Sequence, residues 1–400
     1  MALSSPQSER ILLTNLHCAG VIGVKSTCCN ASKGYASSSF SSVRSRVRCT
    51  TMAMEASPSL SSVDMKSIKW GSSCLQGRRD EMEDEVILRL DALDGFSFAA
   101  VLDGHGGVSS VNFLREDLFK SYVEVLQNGS QLSGKDFESL SKLLTDAFKG
   151  VDEKLLNKLE TSTVEDESGS TATVMLIGCD MLYISHIGDS AMVLSRSGKA
   201  NLLTDPHRPY GKNKSCAEEV KRIRNAGGWI MNGRVCGEIA VSRAFGDIRF
   251  KSKKNEMLQK GVEEGRWPQK FASRVKFNDD LVVATPDNFQ VPLDAGAEFV
   301  LLATDGLWDY LNSSEAVAFV RKQFQQHGDV QIACEKLAQA ALDRGSQDNI
   351  SIIIADLGQT DWQSLPQQGG DSIFEQMRAF ATVGAILFFI WMTSQLSLNL

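Results

Sequence analysis

Residues 96–107 read FSFAAVLDGHGG, an apolar run that ends in an acidic, glycine-rich turn. The run predicts a strand over 96–102, and the Asp-Gly pair after it is a turn signal. Glycines at positions 104, 106 and 107 let the backbone approach a ligand closely and leave a carbonyl free as an acceptor. This strand end, with Asp103, is therefore the first candidate element of a functional site.

Similar patterns recur along the chain. Apolar residues three and four positions apart predict helices at 109–125, 137–159, 216–226 and 314–343. Short strand patterns bounded by Gly, Asp and Asn occur at 85–90, 96–102, 171–177, 181–187, 191–195, 281–284, 298–303 and 350–355. Strands in meander-like runs, with helices inserted between them, predict an α+β fold in which antiparallel sheets pack together under helices.

The composition is that of a soluble globular protein, with 42% hydrophobic and 23% charged residues in a chain of 400. A formal net charge of −7 argues against binding to nucleic-acid phosphates. The nine cysteines are an odd number and contain no C-x-x-C pair, so they indicate neither a disulfide framework nor a zinc site. A reducing compartment fits this usage best.

The N-terminal 50 residues differ from the rest of the chain. They are rich in Ser, basic and almost free of acids, which is typical of an organelle transit peptide. The stretch at 47–49 is a plausible processing neighbourhood. Ser dominates and Arg is sparse before position 44, so a plastid address is favoured over a mitochondrial one; a disordered tail without an address is the alternative. A linker at 51–66 leads to a folded body at 67–358.

The C-terminal residues 379–400 read AFATVGAILFFIWMTSQLSLNL and carry no charged side chain. About 20 mostly apolar residues suffice to span a bilayer as a helix. We expect a transmembrane anchor at 376–400, with Arg378 reaching the head groups, after a linker at 359–375. A helix packed on the folded body is the alternative.

Acidic residues mark several strand ends and turns. Each has an ordinary reading as a turn or surface residue, but together they are the oxygen ligands that Mg²⁺ and Mn²⁺ prefer. Carboxylates gathered in one cleft repel one another unless cations compensate them. Two ions sharing a carboxylate and a water can hydrolyse a phosphate ester, and a nearby arginine can hold the phosphoryl oxygens. The groups are RRDEMED (78–84), DGHGG (103–107), GDS (188–190), DGLWD (305–309) and DN (348–349).

Other catalytic designs have weaker support. The sequence contains no G-x-S-x-G elbow, no phosphate-binding P-loop motif and no kinase H-R-D motif. The segment SGSTA (168–172) is similar to a phosphate-cradling loop, but it leads into a strand, so we interpret it as structural.

Taken in this order, the acidic groups resemble the type 2C protein phosphatases, the metal-dependent Ser/Thr phosphatase family. The likeness extends over about 67–357, and the number of collinear matches makes it specific. It also includes SGSTA (168–172), LTDPHRP (203–209), the helix end at 219–228 and AVSRAFGD (240–247). The resemblance implies a sandwich of two antiparallel β-sheets flanked by helix pairs.

The resemblance also implies roles for individual residues. Asp103 would be shared by two Mg²⁺ or Mn²⁺ ions, and Asp189, Asp305 and Asp309 would surround a weaker third ion. His105 would be the general acid, although a solvated loop histidine is its ordinary reading. The further residues implied are Glu83 and the Gly104 carbonyl for one ion, Asp305 and Asp348 for the other, and Arg79 for the phosphate.

The implied reaction is direct in-line attack of an activated water on phosphorus, without a covalent enzyme intermediate. A lysine-rich segment at about 248–280 falls where the family has a flap beside the active site; it selects substrates or is a plain solvated loop. The two chain ends add a resemblance to thylakoid-associated plant members of the family. That implies phosphorylated light-harvesting complex II proteins as partners and a chloroplast thylakoid location, with the catalytic domain facing the stroma.

Two other functions remain open at this stage. A phosphatase fold without catalytic activity would act as a membrane-tethered binding module, and the apparently intact carboxylate set argues against it. A metallo-hydrolase of small phosphate esters would use the same groups on metabolites.

Overall fold

The structure is a computed structural model that describes residues 63, 65–132, 136–163 and 165–365. The predicted transit peptide at 1–50 and the predicted membrane anchor at 376–400 lie outside these residues, and both stay predictions. Within the described ranges, no helix has the combined length and apolar content needed to cross a bilayer.

Two five-stranded antiparallel sheets form the body of the described chain. One has the strand order β1-β15-β14-β8-β9, and the other has the order β13-β7-β6-β3-β2. A small third sheet has the order β12-β5-β4, and β10 pairs with β11. The bounds are β1 Lys69–Leu75, β2 Glu85–Leu93, β3 Phe96–Leu102, β4 Gly104–His105, β5 Gly169–Ser170, β6 Ala172–Ile177, β7 Met181–Ile187, β8 Ala191–Arg196, β9 Lys199–Leu202, β10 Ile230–Met231, β11 Arg234–Val235, β12 Phe245–Gly246, β13 Asp287–Pro292, β14 Ala297–Ala303 and β15 Ile350–Asp356.

Helices cover the outer faces of both five-stranded sheets. Helices α1 and α2 share one hydrophobic core with the β3 sheet, and α7 and α8 share another with the β15 sheet. The bounds are α1 Ser109–Val125, α2 Phe137–Thr161, α3 Lys214–Asn225, α4 Lys254–Glu263, α5 Gln269–Ala272, α6 Asp305–Trp308, α7 Ser313–His327 and α8 Val330–Asp343, with short 3₁₀ turns at Met65–Ser67, Gln127–Gly129 and Ile248–Phe250.

The central strands are buried on both faces, which explains their continuous apolar runs. In β3, Phe98 and Ala100 face the helices, whereas Ala99 and Val101 face the other sheet. The same alternation in β15 directs Ile352 outward and Ile353 inward, as the two-residue period of a strand requires. The predicted α+β class and its antiparallel sheets are confirmed.

Two predicted elements were wrong. The helical pattern at 314–343 is two helices, because Gly328 takes a left-handed conformation (φ 65°) that ends α7 and Asp329 caps the start of α8. The apolar run at 281–284 is no strand: Leu281 and Val282 fill a core, and Val283 makes only a single bridge to Arg243. Burial, rather than strand pairing, explains its composition.

The segment at 248–280, called the flap segment from here on, is not a plain solvated loop. It contains α4 and α5, and Met257 and Trp267 pack in a hydrophobic core that they share with Ile223 of α3 and Val235 of β11. The Trp229 ring meets the Trp267 ring edge-on at 5.1 Å, a favoured aromatic geometry. The segment is therefore a folded substructure of the domain, attached to the sandwich.

A buried ion pair anchors the start of the flap segment. The Lys251 ammonium donates to both carboxylate oxygens of Asp152 on α2, at 2.8 and 2.6 Å, and to the Ala244 carbonyl at 3.0 Å. Asp152 also accepts a hydrogen bond of 2.9 Å from the Gly246 amide. Helix α2, strand β12 and the flap segment are thus joined at one point.

We expect Lys251→Met to lower the free energy of unfolding by about 3–5 kcal/mol, because it leaves the Asp152 carboxylate buried without its counter-ion. The double variant Lys251→Met/Asp152→Asn should recover most of this loss, since the Asn oxygen still accepts from Gly246. Urea unfolding curves measure both values. An equal loss in the single and double variants would show that the pairing of charges is not what matters here.

Candidate active site

The candidate acidic residues lie at one end of the sandwich because neighbouring strands are antiparallel. Asp103 follows the end of β3, which pairs with the start of β2 next to Glu83; Glu85 pairs with Leu102. In the other sheet, Ala303 at the end of β14 pairs with Ile352 of β15. The end of β14 therefore brings Asp305 close to Asp348, which precedes β15, while Asp189 occupies the β7–β8 turn.

A cavity of about 630 Å³ opens at this end. Every residue that the sequence analysis assigned to the site lines its wall: Arg79, Glu83, Asp103, Gly104, His105, Asp189, Asp305, Asp309 and Asp348. The structure thus gathers side chains separated by up to 269 positions in the sequence, as in the Arg79–Asp348 hydrogen bond.

The tightest cluster consists of three carboxylates. One oxygen each from Asp103, Asp189 and Asp305 lies within 4.8 Å of the other two. Burial, followed by the charges of neighbouring acids, raises the pKa of Asp103 well above its ordinary value. The same causes raise the pKa of Asp305 to about 8. An all-oxygen, strongly repelling donor set of this kind fits a hard divalent cation.

Glu83 and Asp348 are held at the rim of this cluster by partners of their own. Glu83 accepts a 2.6 Å hydrogen bond from the Gly107 amide, and Asp348 accepts one of 2.7 Å from Arg79. The Asn349 side chain fixes the Glu83 loop, since its Oδ1 accepts from the Glu83 amide at 2.8 Å. These contacts orient two of the predicted ligands toward the same cavity.

Gly104 is required by close backbone packing. A Cβ at this position would lie 2.3 Å from the Glu83 carbonyl oxygen, far inside contact distance. The glycine at position 104 is therefore needed because its backbone packs closely against the Glu83 backbone of the same chain.

The segment at 168–172 is structural, as predicted. Ser168 is fully buried, and its hydroxyl accepts a 3.1 Å hydrogen bond from the Ser110 amide at the start of α1.

Arg208 is a site residue to which the sequence analysis gave no role. Its guanidinium donates to Asp189 at 2.7 Å and to Asp305 at 3.1 Å, and it approaches Asp309 at 3.4 Å. These are the three carboxylates predicted to surround a weaker third ion. They hold an arginine between them, so a third cation would have to displace it. The available signal was the position of Arg208 within the quoted stretch at 203–209.

Asp84 is a second residue without an assigned role. It is buried, and its carboxylate accepts a 3.0 Å hydrogen bond from the Thr304 hydroxyl. The Thr304 oxygen in turn accepts from the Ser351 amide at 3.0 Å. Burial raises the pKa of Asp84 to about 7. This chain of hydrogen bonds ties the start of β2 to the other sheet, at the wall of the cavity.

His105 has a buried carboxylate as its partner. Its Nε2 lies 3.0 Å from each carboxylate oxygen of Asp247. Burial alone would lower the pKa of His105, but the charge and hydrogen bond of Asp247 outweigh it and the pKa is raised. The alternative interpretation of His105 as a solvated loop histidine is therefore wrong.

Comparison with known proteins agrees with this geometry. The family model described as Protein phosphatase 2C matches residues 68–350. The chain therefore belongs to the protein phosphatase 2C family: it is a Ser/Thr protein phosphatase, of a family whose members depend on metal ions.

Individual relatives extend over most of the chain. "Protein phosphatase 2C 57" from Arabidopsis thaliana is 58% identical over 353 residues, 88% of this chain and 90% of the relative. "Protein phosphatase 1B" from Mus musculus is 31% identical and spans 72% of this chain and 70% of its own length. A solved C. elegans sex-determining protein has a TM-score of 0.57 and 25% identity, covering 74% of this chain and 67% of that one. A phosphatase structure from Toxoplasma gondii, at 22% identity and a TM-score of 0.57, covers 73% of this chain and 93% of its own and supports the fold.

We expect stabilisation by Mn²⁺ to increase with pH. The pKa of Asp84 is raised to about 7 and that of Asp305 to about 8, so both groups stabilise the metal-free fold at low pH, below the unfolded carboxyl pKa of about 4. That contribution is lost as the pH rises through the folded values. A bound cation favours the ionised carboxylates and counteracts the loss.

The measurement is Tm with Mn²⁺ and with EDTA at about pH 6 and about pH 8. The difference between the two Tm values should be larger at the higher pH and should shrink strongly in Asp103→Asn. A difference that is constant, or larger at the lower pH, would contradict the assignment of these carboxylates as the binding site.

Proposed function

We propose that the cavity hydrolyses phosphoserine and phosphothreonine on proteins with two Mg²⁺ or Mn²⁺ ions held around Asp103. The observation that carries this proposal is the compact cluster of three carboxylates, in which burial and neighbouring charge raise the pKa of Asp103 and of Asp305. The bound ions would activate water as the nucleophile and stabilise the charge that develops on the phosphoryl oxygens. Glu83, the Gly104 carbonyl, Asp305 and Asp348 would supply the other protein ligands.

The chain's own side chains perform the remaining tasks. Arg79 lines the cavity, is anchored by Asp348 and can bind the phosphoryl oxygens through its other N–H groups. His105 donates a proton to the serine or threonine oxygen as the P–O bond breaks, which spares that oxygen from leaving as an alkoxide. Asp189 and Asp309 are engaged with Arg208, and we propose that a third ion binds more weakly than the first two because it competes with this guanidinium.

Phosphopeptide hydrolysis should require added Mn²⁺ or Mg²⁺ and stop with a chelator. Asp103→Asn should lower kcat/KM by at least about a hundredfold, the order of one lost electrostatic contact at a transition state. Asp146→Asn is a matched control, because it removes the same charge from an exposed position on α2.

The outcome also separates the alternatives. Wild-type protein that binds no Mn²⁺ and turns over no phosphopeptide would support the binding module. High turnover of small phosphate esters, with none of phosphoproteins, would support the metabolite hydrolase. Full activity in Asp103→Asn would contradict the proposed site.

We further propose that the substrates are phosphorylated light-harvesting complex II proteins and that the enzyme acts on the stromal face of the chloroplast thylakoid membrane. The support is the composition of the chain ends: a Ser-rich, acid-poor N-terminus and an uncharged apolar run at 379–400. Dephosphorylation of antenna proteins would then act in state transitions.

Two measurements test this address and substrate. A fluorescent fusion of the full chain should fractionate with thylakoids, whereas one that lacks residues 376–400 should become soluble. Purified wild-type enzyme added to phosphorylated thylakoids should remove phosphate from the antenna proteins, and Asp103→Asn should not. Membrane attachment of the truncated fusion, or loss of phosphate only from other thylakoid proteins, would contradict the respective proposal.

A further inference from the structure

The small three-stranded sheet juxtaposes two side chains at the cavity. Its order is β12-β5-β4, and Gly169 in the central strand pairs with His105 on one side and with Gly246 on the other. Asp247 comes directly after Gly246. The sheet therefore holds His105 and Asp247 on opposite sides of one glycine, although 142 positions separate them in the sequence.

The missing side chain of Gly169 makes room for this pair. A Cβ at Gly169 would lie 2.5 Å from His105 Nε2 and 2.6 Å from an Asp247 carboxylate oxygen. Both distances are far below normal contact, and the atoms involved are the two that form the His105–Asp247 contact. Any larger residue at position 169 would have to push the pair apart.

The backbone of Asp247 is held in an uncommon conformation that directs its carboxylate to the histidine. Its φ is 52° and its ψ 46°, the left-handed region that a non-glycine residue enters at a cost. Two backbone hydrogen bonds hold it there: the Asp247 amide donates to the Ser168 carbonyl at 3.1 Å, and the Phe250 amide donates to the Asp247 carbonyl at 2.9 Å. The preceding Gly246 is tied to Asp152, so the position is fixed from three sides.

Burial makes the contact specific. The Asp247 side chain is only 3% exposed, whereas that of His105 is 31% exposed toward the cavity. A buried carboxylate needs hydrogen-bond partners to remain in place. His105 Nε2, at 3.0 Å from both oxygens, supplies that contact from the cavity side. The structure has placed a fixed, buried acceptor behind a half-exposed imidazole.

We propose that Asp247 is the positioning residue for His105, holding the imidazole so that Nδ1 is presented to the leaving oxygen of the phosphorylated side chain. The inference rests on the proposed role of His105 as the proton donor. Nε2–H donates to Asp247, so proton exchange with the substrate falls to Nδ1. As the P–O bond breaks, its electron pair stays on the serine or threonine oxygen, which takes the proton from Nδ1.

The leaving group distinguishes positioning from general folding. A serine or threonine alkoxide is a poor leaving group that needs a well-placed proton, whereas the nitrophenolate of p-nitrophenyl phosphate departs without one. Removal of Asp247 should therefore lower kcat for a phosphopeptide about 10–100-fold more than kcat for p-nitrophenyl phosphate. This is at most the lower end of the roughly 100–10,000-fold that proton transfer contributes, because His105 itself is kept. KM for the phosphopeptide should change little.

Three variants of the full chain test this. Asp247→Ala removes the acceptor; Asp247→Asn keeps an oxygen that accepts from Nε2–H and tolerates a positive φ, so it should recover part of the loss. Gly169→Ala keeps both His105 and Asp247 but pushes their side chains apart. It should show the same leaving-group selectivity as Asp247→Ala. Asp146→Asn again serves as the matched surface control, and Tm values confirm that each variant is folded.

A double variant separates the failure of this inference from that of the proposed function. In a His105→Ala background, Asp247→Asn should have no further effect on phosphopeptide turnover, because the residue acts through the histidine. If His105→Ala itself shows no leaving-group selectivity, the proposed proton donor is wrong. If His105→Ala shows it but the Asp247 and Gly169 variants lose activity equally on both substrates, His105 keeps its role and the positioning inference is overturned.

Discussion

Mutual repulsion among clustered carboxylates is the constraint on which the rest of this structure depends. Asp103, Asp189 and Asp305 have oxygens within 4.8 Å of one another, and burial with neighbouring charge raises the pKa of Asp103 and of Asp305. Such an arrangement persists only if a rigid scaffold enforces it and positive charge compensates it. The sandwich supplies the scaffold, because each acid is attached to the end of a strand buried on both faces.

Compensation comes from both ends of the cluster. Arg208 neutralises the outer side through Asp189, Asp305 and Asp309, and Arg79 pairs with Asp348 at the opposite side. Burial and neighbouring charge raise the pKa of Asp103 well above its ordinary value and that of Asp305 to about 8. Divalent cations are therefore needed most around Asp103. A further cation beside Asp189 and Asp309 is needed less, because Arg208 already compensates these carboxylates.

Two further sets of polar contacts hold the parts of the cavity in place, one next to the carboxylate cluster and one next to His105. Asp84 and Thr304 join the two large sheets at the wall of the cavity. The Lys251–Asp152 pair joins α2 to β12 and the flap segment, next to Asp247 and its contact with His105. Hydrolysis needs water activation on one side of the phosphorus and proton delivery on the other. The Asp84–Thr304 and Lys251–Asp152 contacts hold the groups for both steps in fixed positions on the same fold.

Much of this was predictable from sequence, and the exceptions have physical reasons. Acids at strand ends such as Asp103 and Asp305 stood out because turn chemistry and metal chemistry favour the same local pattern. Asp247 and Arg208 did not, because their roles depend on distant partners that only the tertiary fold supplies. The break at Gly328 was missed because the apolar spacing continues across it, and the flap segment was misread as a possible loop because Lys251 is buried by an ion pair instead of being solvated.

Anomalous scattering from crystals grown with Mn²⁺ tests the central claim most directly. The account predicts manganese peaks inside the cavity in direct coordination with Asp103, with Glu83, Asp305 and Asp348 completing the protein ligands. Manganese peaks found only elsewhere on the protein, or fully occupied manganese sites none of which contacts Asp103, would contradict it.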